Sequence, residues 1–205
     1  MLPDFTRLMF FLMATLMLNL TPGSDVIYIA SQSLQSHRHG LLAALGISIG
    51  ATFYVIMTAF GMTEVLRQSP ILFQCIKVAG AMYLIYLACK IFRSSFGEMN
   101  TINETSHYFK TFYRGIANTI LNPKVGIFFI TFLPQFVDQS RGKIWMQLLS
   151  LGGCFIISGT IVNVIYALMF AQLKQYVFSH SFMQKWMNKI TALIFGSIAL
   201  KVLLT

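Results

Sequence analysis

Asp25 lies in LNLTPGSDVIYIA (residues 18–30) and Lys124 in LNPKVGIFF (residues 121–129), so each charge sits beside a proline within an otherwise oily run. An ionisable group inside an apolar membrane segment costs roughly 2.5–3.5 kcal/mol on insertion scales, and such residues usually serve function. A carboxylate there can hold an ammonium or a proton, and an ammonium can hold a carboxylate. Pro22 and Pro123 each remove a backbone donor and clash with the preceding turn, and Gly23 relaxes the chain further. The carbonyls freed by such a break survive in hydrocarbon only where protein buries them or where they line a watered cavity. The two prolines, Gly23 and the two charges are therefore expected to form one site.

Two readings of the charges stand side by side. Asp25 and Lys124 form a charge-neutral structural pair that makes burial tolerable, or they divide a zwitterion between them. In the second reading Asp25 takes the ammonium, while Lys124 and exposed helix-end N–H groups take the carboxylate. Depth permits both. At 1.5 Å rise per residue, Asp25 falls about 9 Å from the inner end of its span and Lys124 about 14 Å from the inner start of its own, a gap a lysine stem covers.

Other polar side chains fall within apolar runs. Asn118 and Asn122 lie one turn apart and share a helix face; Asn122 can also satisfy backbone groups around the break at Pro123. Asn19 and Asn163 read as amides that tie helices together. Lys77 either snorkels to the outer surface or serves the site. Tyr83 needs a partner for its hydroxyl, whereas Tyr86 fits an aromatic belt. Glu64 and Arg67 belong to a solvated span end, and Gly46 with Gly50 makes a small-xxx-small packing groove. The sequence HRH at 37–39 reads as a basic cytoplasmic connector rather than a metal site.

The elements that position these residues are membrane helices. Of 205 residues, 56% are hydrophobic and 10% charged, with a mean hydropathy of +0.69. A soluble domain carries about a quarter charged residues, so most of this surface faces lipid. The net charge of +9 is spread over short connectors and forms no basic stripe, which excludes nucleic acid as partner. Cys75, Cys89 and Cys154 form no CxxC or CxxH pair and read as structural thiols. The first apolar run has no small-x-small site after it and reads as a retained span, not a signal peptide.

A span needs about 20 mostly apolar residues, and the stretches 7–31, 40–63, 70–90, 114–137, 144–172 and 185–204 qualify. The expected fold is all-α, a single transmembrane domain over 1–205. Residues 1–92 form one three-helix repeat, 93–113 a polar cytoplasmic linker, and 114–205 a second repeat. The first span of each half is broken by proline. Three spans per half oblige the second repeat to insert with inverted topology. Lys and Arg favour the cytoplasmic side. The faces holding connectors 1–2, 3–4 and 5–6 carry eight of them, against five on the other, which places both termini in the periplasm.

LTPGSDVIYIASQSLQSHRHGLLAALGISIG, KVAGAMYLIYLACKIFR and GIANTILNPKVGIFFITFLPQFV, taken in this order, resemble the LysE/RhtB family of bacterial amino-acid exporters. That family shows a PGPD-like break in helix one, a glycine-rich helix two, K-x-x-G-x-x-Y-L in helix three, and N-P-K followed by L-P-Q-F in helix four. Pro22, Gly23 and Asp25 fall on the first motif, Lys77, Gly80 and Tyr83 on the third helix, and Asn122, Pro123, Lys124 and Pro134 on the fourth. Ser24 stands where the usual motif has a second proline. The resemblance implies six helices, efflux of amino acids or close derivatives driven by the proton-motive force, and a small homo-oligomer.

The resulting expectation is a secondary-active exporter in the bacterial inner membrane, with no enzyme activity, metal or cofactor. Its substrate site comprises Pro22, Gly23, Asp25, Asn122, Pro123 and Lys124, with Asp25 as the proton-coupling group and Lys77, Tyr83 and Asn118 as accessories. The alternative is a membrane-embedded metal-ion or thiol/redox-handling protein of similar architecture, which requires paired cysteines or soft ligands converging in the membrane.

Overall fold

The computed structural model describes residues 5–20, 23–93, 107–138, 140 and 143–172, together with positions 189, 193, 196 and 200. Helices make up the architecture of these residues. In chain order they are α1 (Phe5–Leu20), α2 (Ser24–Gln35), α3 (His37–Gln68), α4 (Pro70–Arg93), α5 (Tyr108–Ile120), α6 (Pro123–Ile127) and α7 (Ile144–Gln172). A π-helical turn (Phe128–Phe132) and a 3₁₀ turn (Leu133–Phe136) continue α6.

Helix starts follow their local sequence. Ser36 caps α3, its hydroxyl accepting from His39 N at 3.3 Å, and Ser69 accepts from Leu72 N at 3.2 Å at the start of α4. Pro70 and Pro123 occupy first-turn positions, where a missing N–H costs nothing. Helix α5 begins at Tyr108, inside the stretch read as linker, and buries Thr111. Residues 94–106 of that linker lie outside the described residues.

Among the described residues, two helices are long and apolar enough to cross a membrane: α3 over His37–Val65, and α7. Two bent pairs qualify as single broken spans, α1 with α2 at 50° and α5 with α6 and its continuation at 48°. Only 28% of the most apolar window of α7 is buried within the protein; the remainder, including Ile157, Ile161 and Ile165, offers bilayer-facing surface. The sixth span expected over 185–204 lies outside the described residues except Lys189, Leu193, Gly196 and Leu200.

Helix α3 forms the centre, packed against α2, α5 and α7. Its contact with α5 depends on small residues. A Cβ on Gly46 would strike the Phe112 carbonyl, one on Gly50 would stand 2.8 Å from Ile116 O, and one on Gly115 would stand 2.9 Å from Ala43 O. The two backbones approach closely only because these positions lack side chains, as the small-xxx-small spacing led one to expect. Past the second break, Phe11, Phe128, Phe129, Phe132, Phe136 and Phe155 form a buried aromatic cluster, with centroids 4.8 Å apart for Phe129–Phe155 and for Phe132–Phe136.

Candidate functional site

Both breaks open onto the same cavity. The first joins α1 to α2 at Gly23, which has extended backbone; Pro22 lies outside the described residues. The second joins α5 to α6 through Asn122, also extended. From the first break Leu18, Asn19, Gly23, Asp25 and Val26 line the cavity, and from the second Thr119, Lys124 and Val125. Helix α3 adds Ile47, Ser48 and Ala51, while α7 adds a wall that includes Phe155, Gly159, Thr160 and Asn163. The cavity measures about 40 Å³, large enough to hold ordered water.

Asp25 sits in the first turn of α2, where the helix dipole favours negative charge. Its Oδ1 accepts from Asn118 Nδ2 at 2.5 Å and from Thr119 Oγ1 at 3.5 Å, and its Oδ2 from Asn122 Nδ2 at 3.0 Å. Neutral donors from α5 and the second break thus occupy both carboxylate oxygens. Hydrogen bonds to a charged group contribute about 1.5–3 kcal/mol each, enough together to offset the cost of placing Asp25 in a span.

Lys124 reaches the opposite way. Its Nζ donates to the Leu18 carbonyl at 3.1 Å, one of the α1 carbonyls left without an intrahelical partner, and it interacts electrostatically with Asp25. A Cβ on Gly23 would stand 3.4 Å from this Nζ, so the lysine lies directly across the first break. Asn122 connects the two charges: besides its bond to Asp25, its Oδ1 caps α6 by accepting from Lys124 N at 3.0 Å.

Of the residues singled out in the sequence, the structure brings together Gly23, Asp25, Asn118, Asn122, Pro123 and Lys124. The common face expected for Asn118 and Asn122 is the face that holds Asp25. Asn19 donates to Ser158 Oγ at 3.3 Å and ties α1 to α7. Tyr83 stands on α4 against Tyr86, centroids 5.9 Å apart, and no described cavity residue comes from α4. The Lys77 side chain lies outside the described residues. Among the described residues no three His, Cys, Asp or Glu side chains gather to hold a metal, and Cys75, Cys89 and Cys154 are free thiols on α4 and α7.

Several site residues carry no local signal. Thr119 completes the cage around Asp25. Tyr54 donates from its hydroxyl to the Ile120 carbonyl at 2.6 Å, and Tyr166 to the Leu20 carbonyl at 3.0 Å, so tyrosines from α3 and α7 satisfy the carbonyl ends of α5 and α1. Gly126 makes the first of these fit, since a Cβ there would meet Tyr54 Oη at 2.8 Å. Comparing α3 with α7 position by position would have shown both tyrosines at matching places.

Broken membrane helices whose ends meet at a shared cavity, with a carboxylate and an ammonium in its wall, are the frame of a helical membrane translocator. The profile of the family described as LysE type translocator matches residues 16–205, and the chain belongs to that family. It is 31% identical over 199 residues to the uncharacterized membrane protein YrhP of Bacillus subtilis (strain 168), covering 90% of this chain and 92% of that protein. It is likewise 31% identical over 192 residues to an uncharacterized membrane protein of Vibrio cholerae serotype O1, covering 92% and 90%. With the uncharacterized membrane protein YahN of Escherichia coli (strain K12) the identity is 25% over 186 residues, covering 89% and 82%. No solved structure matches the chain.

Proposed function

We propose that the protein exports amino acids or their close derivatives across the bacterial inner membrane, driven by protons. It does so as two inverted three-helix repeats with both termini in the periplasm. One observation carries this reading: a carboxylate and an ammonium, each from a different broken span, line one cavity. Asp25 receives the substrate ammonium, exchanging its neutral amide donors for a charged one. Lys124 swings from the Leu18 carbonyl to the substrate carboxylate.

The same cage gives a route for proton coupling. A proton on Asp25 removes the charge that strengthens its bonds from Asn118, Asn122 and Thr119, leaving weaker neutral ones. Protonation would thereby loosen α2 from α5 and the second break, and substrate binding would compete with it. Admitting an amino acid from one side and releasing it on the other requires the two breaks to part, as alternating access demands.

The test is transport by purified protein in proteoliposomes under an imposed pH gradient, with a panel of labelled amino acids. Gradient-dependent accumulation of at least one supports the reading. Absence of flux for every member of the panel, with correctly inserted protein, rejects it.

A further inference from the structure

Ser48 Oγ on α3 lies 2.7 Å from Thr160 Oγ1 on α7. Each hydroxyl also lies within hydrogen-bond distance of the carbonyl four residues before it, Ala44 O at 3.0 Å and Ile156 O at 2.7 Å. Ser48 and Thr160 are 112 positions apart, and the same offset relates Ala44 to Ile156. It also relates the other cavity residues of α3 to residues of α7 that line the cavity, Ile47 to Gly159 and Ala51 to Asn163. It holds again for Tyr54 and Tyr166. Tyr54, from the first half, caps the break in the second; Tyr166, from the second half, caps the break in the first.

Contact of a residue with its own equivalent is what a two-fold axis produces. We infer that a pseudo-two-fold axis passes between Ser48 and Thr160, and that Tyr54 and Tyr166 are reciprocal positioning residues setting the balance between inward-open and outward-open forms. This rests on the alternating-access reading above. The carbonyls at the ends of α5 and α1 have no intrahelical partner, and within a membrane each phenol supplies the donor that water otherwise would. The two bonds are unequal in this structure, 2.6 Å at Ile120 and 3.0 Å at Leu20. Exchanging the halves about the axis puts the tight bond at Leu20 and the longer one at Ile120. Loss of the Tyr54 hydroxyl therefore weakens the present form, and loss of the Tyr166 hydroxyl weakens its exchanged counterpart.

The experiment uses the full chain with Cys75, Cys89 and Cys154 replaced by serine and Ile47→Cys as the single reporter in the cavity. Its rate of alkylation by a membrane-impermeant maleimide is measured from each side of oriented vesicles, without substrate. Tyr54→Phe and Tyr166→Phe, which keep the ring, should move the ratio of the two rates in opposite directions by about three- to tenfold, the shift one hydrogen bond supports. The double variant should return to within about twofold of the parent, as independent sites do. Ser48→Ala, on the axis, should leave the ratio within about the same margin. Shifts in the same direction, no shift in either single variant, or a large shift from Ser48→Ala overturn the inference. Because labelling needs no substrate, a protein that shows the opposed shifts but carries no amino acid overturns the proposed function and leaves the tyrosine pair standing.

Discussion

Asn122 Nδ2 lies 3.0 Å from Asp25 Oδ2, and this bond joins the first residue before one proline break to the carboxylate just after the other. Asn122 also caps α6. Asn122→Ala removes a bond to a charged group, about 1.5–3 kcal/mol, and an N-cap, about 1 kcal/mol. The expected result is a markedly lower thermal midpoint in detergent together with lost transport. Asn122→Asp keeps the cap but loses the amide donor and places a second carboxylate against the first, so at neutral pH it should lose transport and lower the midpoint at least as far as Asn122→Ala.

Asp25→Asn preserves shape and can still bond Asn118 and Asn122 after an amide flip. The variant should insert and fold normally, yet pH-gradient-driven accumulation should fall to the background of protein-free vesicles and the rate should cease to depend on pH. Accumulation equal to the parent's under a gradient would remove Asp25 from the coupling role.

Lys124→Ala should weaken binding of carboxylate-bearing substrates by about ten- to a hundredfold, the loss of one charge-assisted contact, while amines lacking a carboxylate are affected far less. Competition binding with matched pairs of amino acid and decarboxylated amine measures the difference. Gly23→Ala, whose Cβ would stand 3.4 Å from Lys124 Nζ, should be tolerated. Gly23→Leu should displace the ammonium and reproduce the Lys124→Ala phenotype.

Arg7 and Asp138 form an ion pair at 3.5 Å, with the Arg7 side chain 47% exposed, whereas buried Gln147 makes two bonds to the Asp138 backbone, at 3.0 and 2.8 Å. Exposed pairs contribute about 0–1 kcal/mol, but orphaned buried backbone groups cost about 1–3 kcal/mol each. Gln147→Leu should therefore lower the thermal midpoint clearly more than Arg7→Ala. The reverse order would show that the ion pair holds the end of the second broken span.

Gly115→Val should be the most damaging change on α5, because its Cβ already meets the Ala43 carbonyl at 2.9 Å and overpacking costs about 1–3 kcal/mol. Insertion yield and thermal midpoint should both fall, while Gly61→Ala, in open space on α3, should leave both unchanged.

The breaks were legible in the sequence because proline and charge inside an apolar run are local signals, and the 1.5 Å helical rise converts position into depth. That arithmetic brought Asp25 and Lys124 to one level. It could not show that amides of α5 hold the carboxylate while the lysine caps α1, because the choice depends on how α5 is rotated about its axis. The tyrosine caps pair residues 66 and 146 positions apart, and a tyrosine in an apolar run looks like an interface residue. Tyr83 illustrates this ambiguity: its motif drew it toward the site, and its ring stands beside Tyr86. The π-helical turn was equally hidden, although Pro134, which brings no N–H to the ladder, marks where regular helix gives way.

The walls of the chamber come from both broken spans, α3 and α7, so crowding one wall crowds its neighbours: a Cβ at Gly159 on α7 would already press on Asn19 of α1, 3.2 Å away.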